Sequence, residues 1–162
     1  IIGIVKSNSD TTPVRITASI KNAQDLIEAG ADIVAYDATD RPRHNCREDV
    51  LRTILDRGAV AMADCSTVED AEAALAGGAL VIGTTLSGYT VDTATRLQTP
   101  NLDLVRAFSR LGAFVMAEGR YSTPKLAADA IRVGADCVTV GSALTRLEYV
   151  TRLFSDTING SK

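Results

Sequence analysis

The stretch EAGADIVAYD at residues 28–37 decides the fold, because it joins the end of a helix to a buried strand. Its glycine suits the left-handed cap that ends an amphipathic helix. The run IVAY that follows is apolar on both faces, which is typical of a parallel strand covered by helices. Four further copies follow along the chain: DRGAVAMAD (56–64), AGGALVIGT (76–84), RLGAFVMAEG (110–119) and RVGADCVTVG (132–141).

These repeats, together with an apolar strand that opens the chain, predict six strand–helix units. Cap residues support the helix starts, with the hydroxyls of Ser66 and Thr67 and the acids Glu69 and Asp70 at one, and Thr123 and Pro124 at another. We expect strands at 1–5, 32–36, 60–63, 80–83, 114–117 and 137–140. We expect helices at 22–29, 47–57, 68–76, 102–111, 124–133 and 143–157.

Two α/β architectures compete for these units. An open doubly wound sheet usually carries a glycine-rich fingerprint after its first strand, but KSNSD stands there at residues 6–10. A closed (β/α)₈ TIM barrel needs eight units, and its last two loops bind phosphate. We therefore predict a (β/α)₈ barrel whose first two units are missing from this chain. Residues 1–162 would form a single phosphate-binding barrel domain, truncated at the N-terminus, with two exposed sheet edges.

The composition narrows the range of partners. A formal net charge of −3 without any recurring basic stretch argues against a nucleic-acid surface, and aromatic residues make up only 4%. No apolar run approaches the roughly 20 residues that span a bilayer. Three scattered cysteines favour free thiols in a reducing cytoplasm. We expect a small, polar, charged ligand, and we allow for a homodimer.

Polar residues end strand after strand, at the edge where parallel α/β proteins build active sites. Lys6 and Glu118 are the acid–base candidates, because a partly desolvated lysine becomes a usable base and a carboxyl group can relay a proton. The alternative for both is a structural ion pair in the barrel mouth. Asp37 and Asp64 suit ligand hydroxyls or the control of the lysine's charge, and each could equally cap the next helix.

The last two strands end in AEGR (117–120) and VGSALTR (140–146). Gly119, Gly141 and Ser142 could bring backbone N–H groups close to a phosphate, although plain turn glycines are the alternative. Thr84 begins a hydroxyl-rich loop at residues 84–90. This loop could act as a lid that contacts a polyhydroxylated substrate. The alternative is an ordinary polar loop without a role in binding. The single histidine, His44, lacks metal-ligand neighbours, and we expect it to be solvated, with no metal site.

The succession IIGIVK, VRIT, GADIVAYDAT, AMADCST, IGTTLSGYT, FVMAEGR, TP and VTVGSALTR resembles the N-acetylmannosamine-6-phosphate 2-epimerase family over nearly the whole chain. The segments IGTTLSGYT, AEGR and VGSALTR are the distinctive ones. This resemblance implies a (β/α)₈ barrel isomerase of amino-sugar and sialic-acid catabolism. It also implies that N-acetylmannosamine 6-phosphate and N-acetylglucosamine 6-phosphate interconvert without a redox cofactor.

The resemblance further implies residue roles. Lys6 matches the lysine that moves the proton at sugar C2, Glu118 a glutamate near the anomeric centre, and Asp64 an acidic substrate-contacting position. The phosphate end matches four residues: Gly119, Arg120, Gly141 and Ser142. Two alternatives remain open, namely another sugar-phosphate epimerase or synthase barrel, and a non-catalytic barrel fragment that binds a phosphorylated ligand weakly.

Overall fold

The computed structural model describes residues 1–6, 14, 16–94 and 98–160. Its strands are β1 (Ile2–Gly3), β2 (Ile33–Asp37), β3 (Val60–Asp64), β4 (Val81–Gly83), β5 (Phe114–Glu118) and β6 (Cys137–Thr139). Its helices are α1 (Ile20–Glu28), α2 (Arg47–Asp56), α3 (Val68–Ala76), α4 (Leu102–Phe108), α5 (Pro124–Arg132), α6 (Ser142–Thr145) and α7 (Leu147–Gly160).

The six strands form one parallel sheet in the order β1-β2-β3-β4-β5-β6. Every strand pairs with its neighbours in sequence, whereas a doubly wound sheet reverses its strand order at a switch point. Unreversed order with a helix between successive strands is the arrangement of a (β/α)₈ barrel. The sheet is thus a partial barrel, and among the described residues β1 and β6 each pair along one edge only.

The two faces of the sheet divide the apolar residues between them. On the outer face, Tyr36, Ile82 and Val115 pack with helix residues such as Phe108 in the main core. On the opposite face, which we call the inner face, Ala35, Met62, Val81 and Met116 form a second cluster made of strand residues. This alternation follows from the period of two along a strand, and it explains why each strand is apolar on both sides.

The predicted helix caps are confirmed. Thr67 caps α3, accepting a hydrogen bond from the backbone N–H of Asp70, whose side chain completes a capping box. Thr123 caps α5, and Pro124 occupies the first turn. The repeat glycines end their helices in the left-handed region, as at Gly134 with φ +112°. A Cβ at that position would also lie 2.6 Å from the Cβ of Ser109.

Two expected elements differ in the structure. The first strand is limited to Ile2–Gly3, because the Val5 N–H donates to the Thr17 hydroxyl at 3.0 Å instead of extending the ladder. The helix expected at 143–157 is divided at Arg146, which is extended with φ −117° and ψ 95°, so that α6 and α7 are separate. Periodicity alone does not register such a break, because the apolar pattern continues through it.

Candidate active site

The carboxylates predicted at strand ends lie on the inner face. Asp37 pairs in register with Asp64 across β2 and β3, and Asp64 pairs with Gly83 on β4. Glu118 lies two residues beyond Met116, which pairs with Gly83, and therefore stands one step further along the same face. Side chains two residues apart point to the same side of a strand. The inner face thus changes from apolar to acidic towards the carboxyl ends of the strands.

A cavity of about 670 Å³ opens at this edge. Its volume lies within the roughly 300–1,000 Å³ that small-molecule sites occupy. Six of the eight site residues expected from the sequence line it: Lys6, Glu118, Gly119, Arg120, Gly141 and Ser142. The wall also includes Thr85 and Tyr89, from the hydroxyl-rich loop at residues 84–90, and Thr139, which sequence reasoning did not single out.

Lys6 stands at the cavity edge, where it forms an isolated antiparallel bridge with Ile16. Its side chain is exposed, so it reaches solvent at the mouth of the cavity. The positive charge of Lys6 nevertheless acts on the neighbouring acids, since it lowers the pKa of both Asp64 and Glu118 against larger opposing effects. Lys6 and the two carboxyl groups therefore belong to one electrostatic cluster.

Glu118 is half-buried at the end of β5. Burial raises the pKa of its carboxyl group, and the charge of Lys6 and the polar Thr85 hydroxyl oppose that rise. A carboxyl group with a raised pKa keeps its proton at higher pH than an exposed one, which is the property a general acid needs.

Asp64 is fully buried, with one carboxyl oxygen, Oδ1, accepting a hydrogen bond from the Thr85 hydroxyl at 2.6 Å. Among the described residues its other oxygen, Oδ2, has no hydrogen-bond partner. Burial raises the pKa of Asp64 well above the usual aspartate range, and the negative charge of Glu118 raises it further. Asp64 does not line the cavity, whereas Thr85, which bonds to it, does.

Thr84, expected to bind substrate, lies between two strand ends and not on the cavity wall. It is buried, its hydroxyl donates to the Glu118 carbonyl at 2.9 Å, and it accepts from the Glu118 N–H at 3.1 Å. These bonds join the ends of β4 and β5 and fix the backbone that carries Glu118. The cavity-facing hydroxyl belongs to Thr85. Strand period would have identified Thr85, since residues 81, 83 and 85 share one parity.

Arg120 connects the loops that follow β4 and β5. Its backbone is left-handed, with φ +63°, directly after Gly119 at φ +100°. This turn lets the guanidinium donate to the Ser87 carbonyl at 2.9 Å and lie 4.6 Å from the centre of the Tyr89 ring. A non-glycine residue in this region costs about 1–3 kcal/mol and persists only where its surroundings hold it. Arg120 therefore pins the segment at residues 84–90 beside the cavity.

Asp37 forms ion pairs with arginines and does not cap a helix. Its buried carboxylate pairs with Arg41 at 2.5 Å and Arg43 at 2.7 Å, and it accepts from the Thr39 hydroxyl at 2.6 Å. These contacts organise the loop after β2, and Asp37 lies outside the cavity wall. Asp64 does not cap α3 either, because Thr67 and Asp70 do so.

Among residues 1–6, 14, 16–94 and 98–160, no group of three or more metal-binding side chains could hold an ion, and His44 is exposed in a loop. No helix in that part of the chain is long and apolar enough to cross a membrane.

Comparisons with known proteins fit this geometry. Residues 1–160 match the family described as "Putative N-acetylmannosamine-6-phosphate epimerase". The chain is 51% identical, over 96% of its length, to a Vibrio cholerae protein named as a putative N-acetylmannosamine-6-phosphate 2-epimerase, and it covers 64% of that protein. It is 50% identical, over 99% of its length, to the bifunctional enzyme NanE/NanK of Brucella melitensis, covering 31% of it.

Among solved structures, the N-acetylmannosamine-6-phosphate 2-epimerase of Clostridium perfringens matches with a TM-score of 0.89 and 33% identity. The match covers 96% of this chain and 69% of that one. The chain thus spans roughly a third to two thirds of the length of its relatives, and its sheet corresponds to part of their barrel. The chain belongs to the N-acetylmannosamine-6-phosphate epimerase family.

Proposed function

We propose that the protein carrying this chain is an isomerase that epimerises C2 of N-acetylmannosamine 6-phosphate to N-acetylglucosamine 6-phosphate in amino-sugar catabolism. The observation that carries this proposal is one cavity that combines Lys6 and Glu118 with the glycine-bearing ends of β5 and β6. Family membership supports the substrate class. Sugar phosphates need an anion site and a polar reaction site a few ångströms apart, and the cavity offers both.

The phosphate would bind at the side of the cavity formed by Gly119, Arg120, Gly141 and Ser142. Gly119 adopts φ +100°, a backbone angle that favours glycine. Because glycine has no side chain, a phosphate can come close to its backbone. The Arg120 guanidinium supplies a positive charge next to that backbone. Titrating inorganic phosphate while following the amide signals of these residues would test the site, and shifts confined to other residues would exclude it.

The chemistry would take place between the open-chain sugar and Lys6. The C1 aldehyde makes the C2 hydrogen acidic, so a neutral lysine amine can take that proton while the bonding electrons move to the C1 oxygen as an enolate. Return of the proton to the opposite face of C2 inverts the centre. Lys6 is exposed in the cavity, and a bound sugar would cover it and remove it from water.

Glu118 would donate its proton to the C1 oxygen as the enolate forms and recover it when the carbonyl returns. Its raised pKa, caused by burial, supports this role. General acid–base groups each contribute about 10²–10⁴-fold in rate. Positioning of the sugar by its phosphate would supply much of the remainder.

The deciding experiment incubates the full-length protein with N-acetylmannosamine 6-phosphate in deuterated water and follows the sugar by NMR. Formation of N-acetylglucosamine 6-phosphate with deuterium at C2 is the expected result. Binding without conversion would favour the non-catalytic alternative, and conversion of a ketose phosphate instead would favour another epimerase barrel.

We also propose that residues 1–162 belong to one barrel domain that acts in the cytoplasm as a homodimer. The cysteines at 46, 65 and 137 are free thiols, which supports a reducing compartment. Helix α7 exposes Leu147, Phe154 and Ile158 by 80%, 65% and 61%, an apolar surface that either the rest of the barrel or a second copy would cover. Sedimentation of the full-length protein over a range of concentrations would test the dimer.

A further inference from the structure

We propose that Thr85 is a positioning residue through which Asp64 and Glu118 hold a single proton between them. This inference deepens the proposed function and rests on it for its catalytic meaning. It begins with a placement: Thr85 lies on the cavity wall with Glu118, and its hydroxyl donates to the buried Oδ1 of Asp64 at 2.6 Å. Its neighbour Thr84 holds the Glu118 backbone at 2.9 Å and 3.1 Å, which fixes the two loops side by side.

The hydroxyl group has one proton and can accept with its lone pairs. While it donates to Asp64, it can only accept from Glu118, so a hydrogen bond between Thr85 and Glu118 requires the protonated form of Glu118. If the hydroxyl turns to donate to Glu118, a bond to Asp64 requires the protonated form of Asp64. Both arrangements contain one proton on the two carboxyl groups. Thr85 therefore links their protonation states.

The surroundings of the pair favour one proton over none. Asp64 is fully buried, and its second oxygen has no partner among the described residues, so a charge there is poorly stabilised. Burial and the charge of Glu118 raise the pKa of Asp64, and Asp37 raises it further. Asp37 is itself neutralised by Arg41 and Arg43.

The surroundings also favour one proton over two. Lys6 is the positive group that acts on both carboxyls, and it lowers the pKa of each. Thr85 has one hydroxyl proton, so it can lower the pKa of only one of the two carboxyls at a time. A single negative charge beside Lys6 is therefore the stable state, as for two carboxylates that share a site.

This state suits the proposed reaction. The proton resides on Glu118 while Thr85 donates to Asp64, so Glu118 can pass it to the C1 oxygen as Lys6 removes the C2 proton. The O–H bond of Glu118 breaks and one forms on the C1 oxygen, and the reverse transfer restores the pair. Asp64 thus acts through Thr85 without touching the sugar, which agrees with its position behind the cavity wall.

The first test measures protonation without substrate. The side-chain carboxyl carbons of Asp64 and Glu118 are followed by ¹³C NMR against pH in the full-length protein, with Asp64→Asn and Glu118→Gln used for assignment. A shared proton predicts that both signals move together in each titration step. Two signals that titrate independently in the unsubstituted protein would overturn the proposal.

The second test removes the link. Thr85→Val keeps the branched shape but lacks the hydroxyl, so both carboxyls should titrate at higher pH, by about one unit, and no longer in common steps. Thr85→Ser restores a hydroxyl and should restore the coupling. An unchanged titration in Thr85→Val would contradict the proposal, and if that variant does not fold, loss of coupling in Thr85→Ser would do so.

A matched control exists on the neighbouring strand. Thr39 donates to Asp37 at 2.6 Å, in a bond of the same length that is more deeply buried and lies outside the cavity wall. Thr39→Val removes the same kind of hydrogen bond and should lower the melting temperature without changing the titration of Asp64 and Glu118. If Thr39→Val changes that titration as much as Thr85→Val, the effect is one of general stability and the proposal fails.

Activity supplies the third readout. Thr85→Val should lower kcat by at least about tenfold, shift the acidic limb of the pH–rate profile upward and leave KM within about twofold, with Thr85→Ser close to the unsubstituted enzyme. Coupled titration without any epimerisation by the unsubstituted protein would leave the proton pair intact and refute the proposed function. Epimerisation with independent titration of the two carboxyls would support the proposed function and refute the shared proton.

Discussion

Gly83 lies directly opposite Asp64 in the sheet, and a Cβ at position 83 would stand 3.0 Å from the Asp64 Oδ1 atom. The same Cβ would stand 3.0 Å from the Thr85 hydroxyl oxygen and from the Met62 terminal carbon. The missing side chain therefore makes the space in which Thr85 and Asp64 meet. Glycine is required here for room and not for an unusual backbone angle.

Substituting Gly83 with alanine should therefore force the hydrogen-bonded pair apart. We expect Gly83→Ala to lower the free energy of unfolding by about 1–3 kcal/mol, the usual cost of overpacking a close-packed interior. Urea unfolding measures this loss. Gly160→Ala is the control, because a Cβ there meets nothing within 4 Å. Equal stability of Gly83→Ala and the unsubstituted protein would show that the pair tolerates displacement.

Asp64 should make the stability of the protein fall as pH rises. Burial raises its pKa in the folded state, so between the usual aspartate pKa of about 3.9 and the raised value the folded state binds more protons than the unfolded state. The stabilisation is complete below the unfolded pKa and is lost as pH rises through the folded one. We expect Asp64→Asn to have a flatter dependence of unfolding free energy on pH above about pH 4.

The asparagine at position 64 would keep an oxygen that can accept from Thr85. Its amide would place an N–H donor where Oδ2 has no partner among the described residues, a cost of about 1–3 kcal/mol that does not vary with pH. The measurement is therefore the difference in slope between the two curves of unfolding free energy against pH, and not their absolute values. Parallel curves for Asp64→Asn and the unsubstituted protein would mean that Asp64 is ionised in the fold.

Tyr89 should affect substrate binding more than turnover. Its ring lies 4.6 Å from the Arg120 guanidinium, which also holds the Ser87 carbonyl, so the ring helps to keep residues 84–90 beside the cavity. A cation–π contact at an exposed site contributes about 0.5–1 kcal/mol. We expect Tyr89→Leu to raise the KM for the sugar phosphate about two- to fivefold with little change in kcat.

Tyr89→Phe is the control for that variant, because it keeps the ring and removes only the hydroxyl. Its KM should stay close to that of the unsubstituted enzyme. If Tyr89→Phe raises KM as much as Tyr89→Leu, the hydroxyl and not the contact with Arg120 is responsible.

The repeated phrases predict the architecture because they encode local chemistry. A glycine after a helix and an apolar run after the glycine define a strand wherever they occur, and the structure has five of the six strands close to their expected positions. The first strand is shorter because the Val5 N–H bonds to Thr17, a contact between segments that no local pattern reveals. Arg146 divides the last predicted helix because its backbone is extended, which the continuing apolar pattern does not reveal.

The location of the site could be predicted from the sequence, because the ends of parallel strands place their side chains at one edge of the sheet. Lys6, Glu118 and the two glycine-bearing loops meet in one cavity for this reason. The parity of residues 81, 83 and 85 would have placed the Thr85 hydroxyl on the inner face, but it does not name the partners of the two adjacent threonines. The structure shows that Thr84 binds the Glu118 backbone and Thr85 binds Asp64.

Substituting Lys6 should distinguish an effect on catalysis from an effect on stability most clearly. Its side chain is exposed, so replacing it should change the free energy of unfolding by less than about 0.5 kcal/mol. Lys6→Met has a similar length but cannot carry a proton. We therefore expect turnover to fall by at least about 10²-fold while sugar phosphate still binds and the melting curve stays in place.

Solvent deuterium provides the complementary measurement for Lys6. The unsubstituted enzyme should place deuterium at C2 of the product, and Lys6→Met should not exchange that hydrogen even in substrate recovered after long incubation. Glu118→Gln should exchange it slowly, because the base remains and only the proton donor at the C1 oxygen is lost. Near-normal epimerisation by folded Lys6→Met would rule out the lysine as the base. If Lys6 and Glu118 formed only a structural ion pair, either change would lower the melting temperature and leave substantial turnover.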